Sequence, residues 1–139
     1  MIIASLDFGK RRIGLAVAYG EDGVVIPIEA LERKSLARDL ARIVARLAEL
    51  EVSRVIVGSP LNMDGTEGPQ ARAAARFANQ LHAASGLAVE LFDERLSSFE
   101  ARERLRESGG RRPRGGIDAI AAAIILESWL ARGKSSRPA

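Results

Sequence analysis

Residues 1–18 read Met-Ile-Ile-Ala-Ser-Leu-Asp-Phe-Gly-Lys-Arg-Arg-Ile-Gly-Leu-Ala-Val-Ala, and they predict the first two strands of a sheet. The first strand, residues 1–7, is apolar until Asp7. In residues 12–18 the large side chains of Ile13, Leu15 and Val17 alternate with glycine and alanine. This is the period of a strand whose second face is closely covered by another element. The short link between the two strands favours an antiparallel pair.

The rest of the chain alternates between helical and strand patterns. Residues 24–28 predict a third strand, and Pro27 places that strand at a sheet edge because proline cannot donate to a ladder. The further predictions are helices at 35–50, 69–84, 97–107 and 117–131, with strands at 54–58 and 87–92. Since helices precede the last two strands, we predict an α/β fold, a five-stranded mixed sheet with helices on both faces.

Composition limits the class of protein. With 139 residues and 47% hydrophobic content, the chain fits a single domain, predicted at 1–133 and followed by a flexible tail at 134–139. The absence of cysteine excludes disulfides, thiolate catalysis and zinc-thiolate sites. No apolar run approaches the roughly 18 residues of a membrane span, so we expect a cytoplasmic protein with no membrane partner.

Three carboxylates lie where apolar segments begin or end: Asp7 in the first strand, Glu94 after the fifth and Asp118 at the start of the last helix. If these segments pack side by side, two of the charges about 4 Å apart repel by about 4 kcal/mol at an effective dielectric of about 20. Such a cluster needs a cation, and oxygen ligands of this kind hold hard divalent ions in phosphoryl transfer. Simpler roles stay open, a turn residue for Asp7 and a helix cap for Asp118. Either Asp93 or Glu94 could face the cleft, because neighbours on a strand point to opposite sides.

Basic residues adjoin these acids. One cluster directly follows Asp7, and another lies in the glycine-rich segment 108–116, which predicts a flexible loop. Arginine is suited to phosphate because its guanidinium is a planar fork, although charge runs are often only solvated surface. Asn62, in the turn after the fourth strand, either reaches substrate or holds the neighbouring helix. The predicted nucleic-acid contacts are Lys10, Arg11, Arg12, Asn62, Arg95, Arg111, Arg112 and Arg114.

Four segments together resemble the YqgF family of bacterial nucleases, also described as RuvC-like Holliday-junction resolvase homologues. They are Asp7-Phe8-Gly9 with Ile13-Gly14, residues 57–66, Asp93-Glu94-Arg95-Leu96-Ser97, and Asp118-Ala119 with residues 124–127. The resemblance implies a ribonuclease-H-like fold and a catalytic set of Asp7, Glu94 and Asp118 that holds Mg²⁺ or Mn²⁺. It also implies a role in maturing the end of the small-subunit (16S) ribosomal RNA precursor. One departure is that RuvC-type resolvases carry a fourth acid in the last helix, where this chain has Ala121 and Ala122.

We therefore predict a metal-dependent phosphodiester hydrolase, and several alternatives stay open. The substrate could be branched DNA such as a Holliday junction, or the chain could be a non-catalytic RNA-binding module. An ATPase of the actin and hexokinase type shares the pattern Asp-x-Gly, but it needs a second lobe that 139 residues cannot supply. A homodimer is also left open.

Overall fold

The computed structural model describes residues 1–20, 23–94, 97–107 and 116–135, which form one five-stranded sheet with four helices. The strands are β1 (Ile2–Phe8), β2 (Arg12–Tyr19), β3 (Val25–Glu32), β4 (Arg54–Ser59) and β5 (Ala88–Asp93). The helices are α1 (Leu36–Glu49), α2 (Pro69–Ser85), α3 (Ser97–Glu107) and α4 (Gly116–Ser135). The strand order is β3-β2-β1-β4-β5, with β1, β2 and β3 antiparallel and with β4 parallel to both β1 and β5. This arrangement confirms the predicted mixed sheet.

The two faces of the sheet carry side chains of different size. Leu6, Leu15 and Val57 belong to the main apolar core together with residues of α1 and α2 such as Leu47 and Phe77. The opposite face is lined largely by small residues, and α4 lies directly on it. A Cβ built on Gly58, for example, would lie 2.5 Å from the Cδ1 atom of Ile125 in α4. The alternation in residues 12–18 thus predicted correctly which face is closely covered.

Two element boundaries differ from the predicted ones by more than one residue. Strand β3 continues to Glu32, four residues past the predicted end at 28, and its pairing with β2 shifts register next to Pro27. The residues that extend it, Glu-Ala-Leu-Glu, favour a helix by composition, so pairing with β2 decides their conformation. Helix α4 continues to Ser135, four residues past the predicted helix end at 131.

Some predictions fall outside the part of the chain that the structure describes. They include the loop residues 108–115 and the last tail residues 136–139. Within the described ranges, no helix is long and apolar enough to cross a membrane.

Candidate metal centre and nucleic-acid interface

Asp7 lies near the carboxyl end of β1, on the face of the sheet that α4 covers. Side chains two residues apart in a strand point to the same face, so Ser5 shows where Asp7 points. The Oγ atom of Ser5 donates to the carbonyl oxygen of Ala122 in α4 at 2.6 Å. Across the antiparallel ladder, Asp7 pairs with Gly14 of β2. The Asp7 carboxylate therefore lies between the sheet and the beginning of α4.

Asp118 reaches this position because Gly14 has no side chain. A Cβ built on Gly14 would overlap the backbone carbonyl of Asp118, so glycine is needed for the first turn of α4 to approach the strand pair. The Nε atom of Arg12, at the start of β2, donates to Oδ2 of Asp118 at 2.7 Å. This hydrogen bond is the largest cause of a raised pKa of the Arg12 guanidinium.

Glu94 follows the last residue of β5. Its backbone N–H donates to the carbonyl oxygen of Ser59 at 3.0 Å, which continues the β4–β5 pairing by one step. Two residues earlier, Phe92 packs in the apolar cluster beneath α4, with Ile125 and Trp129. Alternation from Phe92 places Glu94 on the α4 face with Asp7, and it places Asp93 on the other face.

The electrostatics of Asp7 show that the three acids converge. Three causes together raise the pKa of Asp7 from its ordinary 3.8 to about 6: burial first, then the charge of Asp118 and then the charge of Glu94. Within the described part of the chain, the Asp7 carboxylate receives neither a hydrogen bond nor an ion pair. Its negative charge is therefore unfavourable in the protein alone.

The donor set has the chemistry of a site for a hard divalent cation, since it consists of carboxylate oxygens. Among the described residues, however, no three acidic or histidine side chains are placed ready to hold an ion. One reason is visible at Asp118, whose Oδ2 is engaged by Arg12. Arg12 therefore competes with an ion for this carboxylate.

The predicted nucleic-acid contacts divide into three groups. Lys10 and Arg11 are exposed in the turn between β1 and β2, beside the acids. Asn62 instead holds its own turn, because its Nδ2 atom donates to Oγ1 of Thr66 at 2.9 Å and its N–H donates to the Thr66 carbonyl oxygen at 2.9 Å. Both hydrogen bonds lie within the turn after β4, so a contact of Asn62 with nucleic acid stays a prediction. The third group, Arg95, Arg111, Arg112 and Arg114, lies outside the described residues.

Arg33 and Lys34 were not predicted, yet they lie beside Lys10 and Arg11. Both residues follow the extension of β3 at residues 29–32, which was not predicted. Their position next to the turn between β1 and β2 therefore could not be inferred from the sequence. The available signal was a basic pair directly before Ser35, whose side chain caps α1 by accepting the Arg38 N–H at 3.2 Å. Glu127, in contrast, pairs with Arg104 of α3 at 2.7 Å.

Known proteins resemble this chain in both sequence and structure. The model of the family described as "RuvX: Holliday junction resolvase" matches residues 1–132. A relative from Anaeromyxobacter dehalogenans (strain 2CP-1), named "Putative pre-16S rRNA nuclease", is 54% identical over 129 residues, which are 91% of this chain and 94% of the relative. A relative of the same name from Escherichia coli O157:H7 is 43% identical over 133 residues, covering 94% and 96% of the two chains.

Solved structures agree on the fold. RuvC of Thermus thermophilus in complex with a Holliday junction substrate superposes with a TM-score of 0.63 at 19% identity, covering 100% of this chain and 99% of that chain. The fowlpox virus Holliday junction resolvase superposes with a TM-score of 0.58 at 16% identity, covering 95% and 99%. At these identities the likeness shows the fold alone, and it confirms the ribonuclease-H-like architecture. The match along residues 1–132 shows that this chain belongs to the RuvX family.

Proposed function

We propose that this protein is a divalent-metal-dependent nuclease that processes the end of precursor 16S ribosomal RNA. The observation that carries the proposal is Asp7, a partly buried acid that faces two further acids and has no compensating partner among the described residues. A protein gains nothing in stability from such an arrangement, whereas a nuclease needs it to hold cations. The names of relatives 43% to 54% identical support RNA processing.

In this proposal Asp7, Glu94 and Asp118 hold one or two Mg²⁺ or Mn²⁺ ions. Bound there, the metal supplies Lewis-acid stabilisation of the charge that develops on the phosphate and on the leaving oxygen. Asp7 is fixed in a central strand, so it anchors the site, while Asp118 and Glu94 approach from α4 and β5. Arg12, once released from Asp118, is placed to donate to the phosphate of the substrate.

A second candidate substrate is branched DNA. The description of the family as a Holliday junction resolvase favours it, and the acid cluster itself would serve either nucleic acid. A non-catalytic RNA-binding module is less well supported, because such a module has no use for three acids that repel one another. A cytoplasmic location belongs to the same proposal, and a homodimer remains a prediction.

The test compares two substrates side by side. Labelled RNA containing the precursor end of 16S rRNA and a labelled four-way DNA junction are incubated with Mn²⁺, with Mg²⁺ or with EDTA. We expect cleavage of the RNA that requires the metal, with a loss of about a thousandfold or more in Asp7→Asn, because several kcal/mol of charge stabilisation depend on the ligand set. Preferred cleavage of the junction would favour the second candidate. Cleavage in EDTA, or an Asp7→Asn variant as active as the parent, would overturn the proposal.

A further inference from the structure

A cavity of about 580 Å³ lies between the β1–β2 turn and the connection from β3 to α1. We call it the basic pocket, and it is lined by Lys10, Arg11, Arg12, Glu32, Arg33 and Lys34. Five of these six side chains are cationic, and the volume is within the range of about 300–1,000 Å³ typical of ligand sites.

Arg33 ties the two sides of the basic pocket together. Its backbone N–H donates to the carbonyl oxygen of Arg11 at 2.8 Å, and its Nη1 atom donates to the carbonyl oxygen of Gly9 at 3.3 Å. Its guanidinium also lies 4.3 Å from the centre of the Phe8 ring. These contacts hold the guanidinium in one place before any ligand arrives.

The buried carboxylate of Asp39 supports the connection from β3 to α1. Asp39, in the first turn of α1, is fully buried and accepts hydrogen bonds from the Lys34 N–H at 2.9 Å and from Nε of Arg33 at 3.3 Å. Because Asp39 fixes the backbone of Lys34 and the side chain of Arg33, this side of the pocket is pre-organised.

The basic pocket keeps an excess of positive charge. Its five cations face three acids, namely Glu32 in the lining, Asp39 beneath Arg33 and Asp118 beside Arg12, which leaves a net charge of +2. The Lys34–Glu32 pair is wide, at 3.5 Å, and both side chains are exposed, so it neutralises little. Lys10 and Arg11 have no ion pair within the described ranges.

We infer that the basic pocket binds the sugar-phosphate backbone of the nucleic-acid substrate beside the metal centre, an inference that rests on the proposed function. Backbone rather than base is indicated because none of the described lining residues is aromatic, and because Arg33 covers the ring of the neighbouring Phe8. Arg12 lines the pocket and also contacts Asp118, so a strand held in the pocket continues into the acid cluster. Contacts to phosphates fix the position of the substrate and carry no sequence information.

The experiment measures binding without cleavage. All proteins carry Asp7→Asn, and EDTA is present throughout. The pocket variant is the double substitution Lys10→Ala with Lys34→Ala. The control is Arg38→Ala with Arg76→Ala, which also removes two exposed cations but on α1 and α2, outside the pocket lining. The affinity for two RNAs of equal length and unrelated sequence is measured over a range of KCl concentrations. For the pocket variant we expect about tenfold weaker binding of both RNAs. The slope of the logarithm of the binding constant against the logarithm of the KCl concentration should also be smaller in magnitude by about 1 to 2. A Lys34→Arg variant should retain the affinity of the background protein.

Three results would overturn the inference: equal affinities and salt slopes for the pocket variant and the control, a loss confined to one RNA, or no binding by the background protein. Since the assay contains no metal and no cleavage step, these results are separate from a failure of the proposed function. That failure would appear as an absence of metal-dependent cleavage by the unmodified protein.

Discussion

Asp39 and Asp7 are both acids withdrawn from solvent, and their surroundings differ. Asp39 accepts hydrogen bonds from the Lys34 N–H, from Arg33 and, at 3.4 Å, from Nη2 of Arg42. Asp7 instead faces Asp118 and Glu94, whose charges raise its pKa. The first acid is surrounded by donors and the second by other acids.

The difference separates an acid that holds the fold together from one that awaits a ligand. Buried charges in folded proteins are normally paired, as Asp39 is, because an unpaired charge is costly. Asp7 breaks that rule at the carboxyl ends of three parallel strands, where ligands of open α/β sheets bind. The same chemical change at these two positions should therefore act on stability in opposite directions.

The largest effect on stability is expected at Asp7, and it depends on pH. Between about pH 4 and about pH 6 the folded state retains a proton that the unfolded state has lost, so the free energy of unfolding of the metal-free protein falls as pH rises. The difference between 3.8 and about 6 corresponds to at most about 3 kcal/mol. Asp7→Asn should remove this decline and be the more stable protein at neutral pH. Urea unfolding of parent and variant in EDTA across this pH range checks the prediction, and parallel pH profiles would contradict it.

At Asp39 the same substitution should destabilise. Asp39→Asn leaves Arg33 and Arg42 without their shared counter-charge, and because both guanidiniums are partly exposed we expect a loss of about 2 kcal/mol in the free energy of unfolding. Urea unfolding at neutral pH measures this loss in the free energy of unfolding, with Asp7→Asn as the matched control. A neutral or stabilising effect at Asp39 would remove the contrast between the two acids.

A smaller effect, on the affinity for metal, is expected at Arg12, which competes with metal for Asp118. Arg12→Gln should tighten Mn²⁺ binding about tenfold, because the ion no longer competes with a guanidinium for Asp118. Arg11→Gln is the matched control, since Arg11 lies in the same turn and has no ion pair among the described residues. Calorimetric titration with Mn²⁺ compares the affinity of the two variants for the ion. If both variants bind Mn²⁺ equally, the Arg12–Asp118 pair does not limit metal binding.

Local patterns in the sequence predicted the sheet because its strands have a simple period. The alternation of large and small residues from Arg12 to Ala18 indicated both the strand and its closely covered face. The end of β3 could not be predicted, because residues 29–32 follow β2 through long-range pairing rather than through their own preference.

The acids of the candidate site could be proposed from the sequence, but their arrangement could not. Residue type and position singled out Asp7 and Asp118 but left Asp93 and Glu94 open, and in the structure the packing of Phe92 beneath α4 places Glu94 on their face. The pairing of Arg12 with Asp118 joins residues 106 positions apart, and no local pattern reveals it. The burial of Asp39 was missed for a similar reason, since an acid in the first turn of a helix is normally a surface residue.

The most direct test of the metal centre uses the adjacent acids Asp93 and Glu94, which alternation places on opposite faces. The rate of RNA cleavage is measured against Mn²⁺ concentration for Glu94→Gln, for Asp93→Asn and for the parent. We expect Glu94→Gln to lose metal-dependent cleavage, whereas Asp93→Asn should keep much of the parent rate with a similar dependence on Mn²⁺. An inactive Asp93→Asn together with a Glu94→Gln variant near the parent rate would contradict the site described at Asp7, Glu94 and Asp118.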